Sequence, residues 1–129
     1  MAHPEQKFFI CRICGNIIGL IHDSGIPIEC CGEEMEELIP NTVDAAQEKH
    51  VPAFTVAGNQ IDVQIGSVEH PMEKEHYIEW IYLKTEHGGQ RRGFIPGEKP
   101  QATFLLAEGE KPVAVYAYCN LHGLWKTDI

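Results

Sequence analysis

The sequence predicts an all-β protein in which a small cysteine-rich module, residues 1–37, precedes an antiparallel β-sandwich, residues 38–129. Three observations support this prediction. Four of the five cysteines lie at positions 11, 14, 30 and 31, close to the start of the chain. Hydrophobic and polar residues alternate in QIDVQI, residues 60–65, as in a strand with one buried face. Further short strand-like segments follow, separated by turn sequences, which is typical of a sandwich.

The small module begins with a predicted strand, FFI at residues 8–10, which leads into the first pair of cysteines. A second predicted strand covers residues 17–22 and ends at the turn sequence DSG. A unit of this size buries too little apolar surface to be stable alone, so it usually needs a metal or disulfides. The segment 38–47, which contains Pro40 and Asn41, is predicted to be a linker.

The second part of the chain is expected to form the sandwich. Strands are predicted at residues 60–65, 76–83, 91–95, 102–107 and 113–119. The turn sequences EHGG, at 86–89, and EGEKP, at 108–112, separate some of them. No convincing helix is predicted anywhere in the chain.

Composition and charge exclude several classes of protein. The formal net charge is −9 over 129 residues, so there is no basic stripe for binding nucleic acid. No apolar run reaches the length of about 18 residues that a membrane span needs. The first ten residues lack the features of a signal peptide, and a cytoplasmic location is expected. In that compartment, clustered cysteines bind metals more often than they form disulfides.

The four early cysteines form the first candidate metal site. CRICG presents Cys11 and Cys14 together, and Gly15 permits the tight turn that follows. Cys30 and Cys31 are adjacent, so both can reach one metal only through a non-extended backbone. Zinc ribbons typically use two CxxC pairs instead. A structural zinc site and, less consistently with the compartment, a disulfide framework remain alternatives.

The second candidate site combines four histidines with the remaining cysteine. The sequences KHVP, VEHPMEKEH and YCNLHGLW supply His50, His70, His76, Cys119 and His122. Five such ligands can hold one transition metal and leave a sixth position open, and a single thiolate among nitrogens suggests redox chemistry. The other histidines, at positions 3, 22 and 87, are not assigned to a site.

In this order, the segments CRICGN, ECCGEEM, EKHVP, EHPMEKEHYIEW and CNLHG make the chain resemble a desulfoferrodoxin, the two-iron class of superoxide reductase. The resemblance extends from about Gln6 to Trp125. It implies a desulforedoxin-like fold for the small module and an immunoglobulin-like fold for the sandwich. It also implies two iron ions per chain, one in an Fe(Cys)₄ site and one in an Fe(His)₄Cys site with Cys119 as the axial ligand.

The activity that the resemblance implies is superoxide detoxification. Superoxide would be reduced by one electron to hydrogen peroxide at a ferrous, mononuclear, non-haem iron, without release of oxygen. Lys49 would attract superoxide, which the acidic surface otherwise repels. Glu48 resembles the family glutamate that occupies the sixth position after oxidation of the iron. The resemblance further implies an electron donor such as rubredoxin and a homodimer.

Other functions compatible with metal ligands remain open at this point. The main alternative is a small electron carrier without substrate chemistry. A blue-copper site would leave two histidines unexplained, and no methionine follows His122. A structural zinc module would leave the four-histidine group without a purpose. A Cys–His hydrolase would need an oxyanion hole, and the sequence contains no motif for one.

Overall fold

The computed structural model describes residues 4–129 and confirms the predicted all-β class. The chain divides into two compact units, of which the first ends at Ile39 and the second covers Pro40–Ile129. Residues 1–3 of the predicted small module, including His3, lie outside the described residues. Within the described part of the chain, no helix has the length and hydrophobicity needed to cross a membrane.

The first unit is built from five short strands. They are β1 (Lys7–Ile10), β2 (Ile17–Leu20), β3 (Glu29–Cys30), β4 (Glu33–Glu34) and β5 (Glu36–Glu37). One antiparallel sheet has the order β2-β1-β5, and β3 pairs with β4 in a separate hairpin. Only a few hydrophobic side chains in the described part of this unit are buried: Phe8, Ile10, Cys11, Met35 and Leu38. The core of this unit is therefore small.

The second unit contains seven strands and one short helix. They are α1 (Gln47–His50), β6 (Pro52–Ala57), β7 (Gln60–Ile65), β8 (Ile78–Thr85), β9 (Gly89–Gly93), β10 (Gln101–Leu105), β11 (Pro112–Cys119) and β12 (Gly123–Asp128). Two antiparallel sheets have the orders β10-β7-β6 and β12-β11-β8-β9. Three strands facing four is the count of a constant-type immunoglobulin sandwich.

The core of the sandwich lies between these two sheets. β7 buries alternate residues, Ile61, Val63 and Ile65, as the sequence pattern predicts. β11 contributes Val115, Ala117 and Cys119 from the facing sheet. Cys119 is the last residue of β11 and has no exposed surface, so the sandwich presents a buried thiol at one end.

The structure corrects several predicted elements. The chain does contain a helix, the single turn α1, and two strands, β6 and β12, were not predicted. The strand predicted from residue 76 begins instead at Ile78, because His76 pairs with Glu73 in an isolated bridge. Part of the segment predicted as a linker is held against β12. The backbone N–H of Asn41 donates to the Leu124 carbonyl, and its side-chain Oδ1 accepts from the Lys126 N–H at 2.9 Å.

Candidate metal centres

The four early cysteines converge in the first unit. All are free thiols. The sulfur atoms of Cys14 and Cys30 are 3.6 Å apart, and those of Cys30 and Cys31 are 4.0 Å apart. These distances exceed the length of a disulfide, about 2.05 Å. A tetrahedron with metal–sulfur bonds of about 2.3 Å has edges of about 3.8 Å, so the spacing suits one metal ion.

The backbone explains how two adjacent cysteines reach the same point. Cys31 has a φ of 55° and Gly32 a φ of 77°, so the chain turns through the left-handed region instead of continuing as a strand. Gly15, after the first pair, has a φ of 85°. The sequence predicted a non-extended backbone at Cys30–Cys31, and the structure contains it. Glycine adopts these angles freely, whereas Cys31 does so at some cost.

The thiols influence one another's ionisation. The backbone N–H of Cys14 donates to the sulfur of Cys11 and lowers its pKa to about 6. Hydrogen bonding among crowded thiols, first with Cys14 and then with Cys11, raises the pKa of Cys31 to about 12. Since one thiolate opposes the ionisation of its neighbours, all four can be anionic together only around a cation.

The four predicted histidine ligands surround one point in the second unit. The rings of His70 and His122 each contact both His50 and His76, at centroid distances of 4.6–5.1 Å and nearly perpendicular angles. His50 and His76 are farther apart, at 6.3 Å, and their rings are nearly parallel. These four sides and one longer diagonal describe a square of imidazoles.

Hydrogen bonds to the backbone leave one ring nitrogen free for a metal. Nδ1 of His50 contacts the Ala46 carbonyl at 2.7 Å, and Nδ1 of His70 contacts the Pro71 carbonyl at 2.6 Å. A carbonyl only accepts, so Nδ1 carries the proton in both rings and Nε2 carries a lone pair. The Nε2 atoms of His50 and His70 are 3.1 Å apart. The buried Nε2 of His76 has no hydrogen-bond partner among residues 4–129, as expected of a metal ligand.

Burial favours the neutral form of three of these imidazoles. It is the main cause that lowers the pKa of His50, of His70 (to about 4) and of His76. A neutral imidazole offers its lone pair at neutral pH without first losing a proton. These rings can therefore bind a cation without first releasing a proton.

Cys119 joins this histidine group at the end of β11. Its sulfur is 3.9 Å from Nδ1 of His122, and the ligand atoms of His50, His76, Cys119 and His122 all lie within 4.8 Å of one another. His70 is outside that tight set but is 3.1 Å from His50. Burial raises the pKa of Cys119, while the backbone N–H groups of His122 and Leu121 oppose this effect.

Trp125 supports two of these ligands. Its ring stacks on His50 at a centroid distance of 5.0 Å, and its Nε1–H donates to the His122 carbonyl at 3.0 Å. The tryptophan is almost fully buried in β12. It therefore restricts the orientation of one ring and the backbone of another ligand.

Glu48 and Lys49 are exposed residues of α1 beside His50. Lys49 is close enough to His76 for its positive charge to lower that ring's pKa, after the larger effects of burial and of His122. Of the histidines not assigned to a site, His22 is exposed and His87 pairs with Glu110 at 3.2 Å.

Gly66 fixes the position of α1. A methyl group on Gly66 would lie 2.7 Å from the carbonyl oxygen of Glu48 and 2.9 Å from that of Val51. Beside it, the Val68 N–H donates to the same Glu48 carbonyl at 2.8 Å. The turn that carries His50 thus packs directly on a residue without a side chain.

Gly66→Ala is expected to lower the free energy of unfolding by about 1–3 kcal/mol, because the contacted atoms are backbone and cannot move independently. Thermal melting of the metal-free protein measures this effect. Gly88→Ala is the matched control, since no atom lies within 4 Å of a methyl group there. Equal melting temperatures for the two variants would contradict the assigned contact.

Comparison with known proteins adds family relationships to this geometry. The desulfoferrodoxin family profile matches residues 42–128, and the profile of the desulfoferrodoxin N-terminal domain matches residues 4–38. A desulfoferrodoxin of Syntrophotalea carbinolica is 47% identical over 124 residues, covering 96% of this chain and 97% of the relative. One from Nitratidesulfovibrio vulgaris is 42% identical, covering 97% of this chain and 98% of the relative.

Solved structures agree with the sequence relatives. The superoxide reductase of Treponema pallidum aligns with a TM-score of 0.82 at 37% identity, covering 97% of this chain and all of that one. A one-iron superoxide reductase from Giardia intestinalis aligns with a TM-score of 0.55 at 36% identity, covering 64% of this chain and 97% of its own. The two ligand groups described above match the two iron centres of desulfoferrodoxins.

Proposed function

This chain belongs to the desulfoferrodoxin family, and we propose on that premise that it is a superoxide reductase. Superoxide takes up one electron and two protons and leaves as hydrogen peroxide, without release of oxygen. The observation that carries the proposal is the square of four imidazoles with a buried thiol beside it. A two-histidine copper site would not use all of these donors.

The proposed metal ligands are His50, His70, His76, His122 and Cys119. Iron held by these five donors would supply the electron and would leave a sixth position for superoxide. Cys119 is the only anionic donor of the set, and its thiolate favours loss of an electron from the site. The backbone N–H groups of Leu121 and His122 moderate its negative charge.

Lys49 has a proposed role in attracting the substrate. A chain with a net charge of −9 repels an anion, so superoxide needs a local positive charge on its path. Lys49 is exposed and next to His50, and its charge acts on His76. We propose that Glu48, its exposed neighbour, would occupy the position left by the peroxide product.

Lys49→Ala is expected to lower the second-order rate constant with superoxide by about tenfold at low salt and to weaken its salt dependence. Pulse radiolysis at several ionic strengths measures both quantities. Lys111→Ala is a matched control, because it removes the same charge next to the start of β11. Over seven residues of strand, that site is about 23 Å from Cys119, so its charge should have little effect there at 0.1 M salt, where the screening length is about 10 Å. Equal second-order rate constants for the two variants would contradict the role of Lys49 in attracting superoxide.

The Cys₄ group has a different proposed role. Iron with four thiolate ligands has no open position, so it can exchange an electron but cannot bind superoxide. We propose a rubredoxin-like carrier as the donor that returns an electron to the five-donor site, and a homodimer as the assembly.

Product stoichiometry tests the proposed function. The protein is reduced without oxygen, limiting superoxide is added, and hydrogen peroxide and oxygen are measured together. A reductase gives one peroxide per superoxide and no oxygen. Half as much peroxide, with oxygen released, would indicate a dismutase and contradict the proposal. A rate no greater than spontaneous dismutation would also contradict it and would favour a simple electron carrier.

A further inference from the structure

We propose that Asn120 is a positioning residue that holds His76 at the metal centre through hydrogen bonds on both sides of that ligand. The proposal rests on the proposed iron site. Asn120 lies in the turn between Cys119 and His122, so one short turn provides two ligands and fixes the backbone of a third.

The carboxamide of Asn120 uses both of its ends. Nδ2 donates to the Glu75 carbonyl at 2.9 Å, and Oδ1 accepts from the Tyr77 N–H at 3.0 Å. The Asn120 N–H also donates to the Tyr77 carbonyl at 3.3 Å. Since the Glu75 carbonyl can only accept and the Tyr77 amide can only donate, the orientation of the carboxamide is determined. The residues immediately before and after His76 are therefore both attached to the Cys119 turn.

His76 depends on its backbone for its position more than two of the other histidines do. His50 and His70 are each oriented by a ring hydrogen bond to a carbonyl. In residues 4–129, by contrast, no hydrogen bond to a carbonyl orients the ring of His76, and its buried Nε2, the atom free for the metal, has no partner. His76 is also outside the sheets, in a bridge with Glu73 whose two hydrogen bonds measure 3.0 and 3.1 Å. Asn120 connects this small bridge to the rigid end of β11.

Asn120 therefore links the position of His76 to that of Cys119, although the two ligands are far apart in the sequence. Without the carboxamide, the segment 73–77 can move away from the Cys119 turn, and the square of imidazoles opens on the His76 side. A loosened ligand releases the metal faster and changes the symmetry of the ligand field. Asn120 is not one of the five proposed ligands, and its hydrogen bonds are to the neighbours of His76, so its effect is transmitted through His76.

The test compares Asn120→Ala and Asn120→Asp with Asn59→Ala in the full, iron-loaded chain. Asn59 is a matched control, because its side chain also donates to a backbone carbonyl, that of Leu106 at 3.3 Å, in a turn between β6 and β7. Two quantities are measured: the rate at which a chelator removes iron from the five-donor site, and the EPR spectrum of that site after oxidation. The spectrum of the Cys₄ centre is the internal reference.

Asn120→Ala is expected to release iron about tenfold faster and to alter the EPR spectrum. Asn120→Asp keeps the acceptor for Tyr77 but loses the donor to Glu75, so its rate should lie between those of wild type and the alanine variant. Asn59→Ala should match wild type. If Asn120→Ala releases iron at the Asn59→Ala rate with an unchanged EPR spectrum, the positioning role is wrong. That outcome contradicts the positioning role even if Asn120→Ala melts at a lower temperature than the wild type. A wild-type protein that holds iron but does not reduce superoxide would contradict only the proposed function.

Discussion

Cys119→Ser is expected to abolish the reaction with superoxide and to leave the absorption spectrum of the Cys₄ centre unchanged. Serine has nearly the same shape, but its hydroxyl is not ionised at neutral pH, so the five-donor site loses its only anionic ligand. Cys119 has no exposed surface and ends a core strand, so solvent cannot readily replace the lost sulfur. Stopped-flow or pulse-radiolysis rates, measured after anaerobic reduction, give the result directly.

Folding must be separated from chemistry in this experiment. Amide hydrogen exchange in β8 and β12, the two strands that pair with β11 on either side of Cys119, reports whether the sandwich stays intact. The reciprocal control is Cys14→Ser, which removes a thiolate from the other centre and should leave the superoxide rate unchanged. A Cys119→Ser protein that reacts at the wild-type rate would exclude Cys119 as the electron-donating ligand.

The metal groups could be predicted from sequence because cysteine and histidine are rare residues and, in the first group, because the spacing of the ligands is short. Cys11, Cys14, Cys30 and Cys31 are close in the chain, and the unusual pair at 30–31 already required the turn that Cys31 makes with its φ of 55°. The histidines are spread over more than 70 residues, from His50 to His122. Ligand type suggested that they form one site and the family resemblance supported this, whereas periodicity does not reveal which loops of a sandwich meet.

Elements with weak local signals were not predicted. α1 is a single turn, too short for a helical period to be visible. β6 begins with Pro52 and exposes Thr55, Val56 and Ala57, so it lacks the alternation that identified β7. β12 begins with glycine and carries few β-branched residues, yet pairing with β11 makes it a strand. In each case tertiary contacts outweigh local propensity.

The contacts that Gly66, Trp125 and Asn120 make with the site were also beyond sequence analysis. Each acts on a residue brought near by the fold: Gly66 on the Glu48 carbonyl, Trp125 on the His50 ring and Asn120 on the residues flanking His76. A composition cue existed only for Trp125, as a large aromatic residue close to a predicted ligand. Such contacts become visible only when the register of the strands is known.

Removal of metal from the Cys₄ group is expected to unfold the first unit and to leave the sandwich folded. In the described part of that unit, residues 4–39, the buried hydrophobic side chains are only Phe8, Ile10, Cys11, Met35 and Leu38. Cores of this size rarely stabilise a fold alone, whereas a structural metal contributes about 10–16 kcal/mol in small zinc domains. The four thiols also repel one another's ionised forms, which a cation must offset.

Cys14→Ser in the full chain tests this dependence without a chelator, which would also attack the second site. Hydrogen exchange in β1 and β2 should rise to the level of an unfolded segment, while β7 and β11 keep their protection, because the thirteen-residue core between the two sheets does not include this unit. Cys119→Ser, which removes a ligand from the other centre, should leave β1 and β2 protected. If β1 and β2 stay protected in Cys14→Ser, local packing alone supports the unit, and the metal there would serve electron transfer without a role in folding.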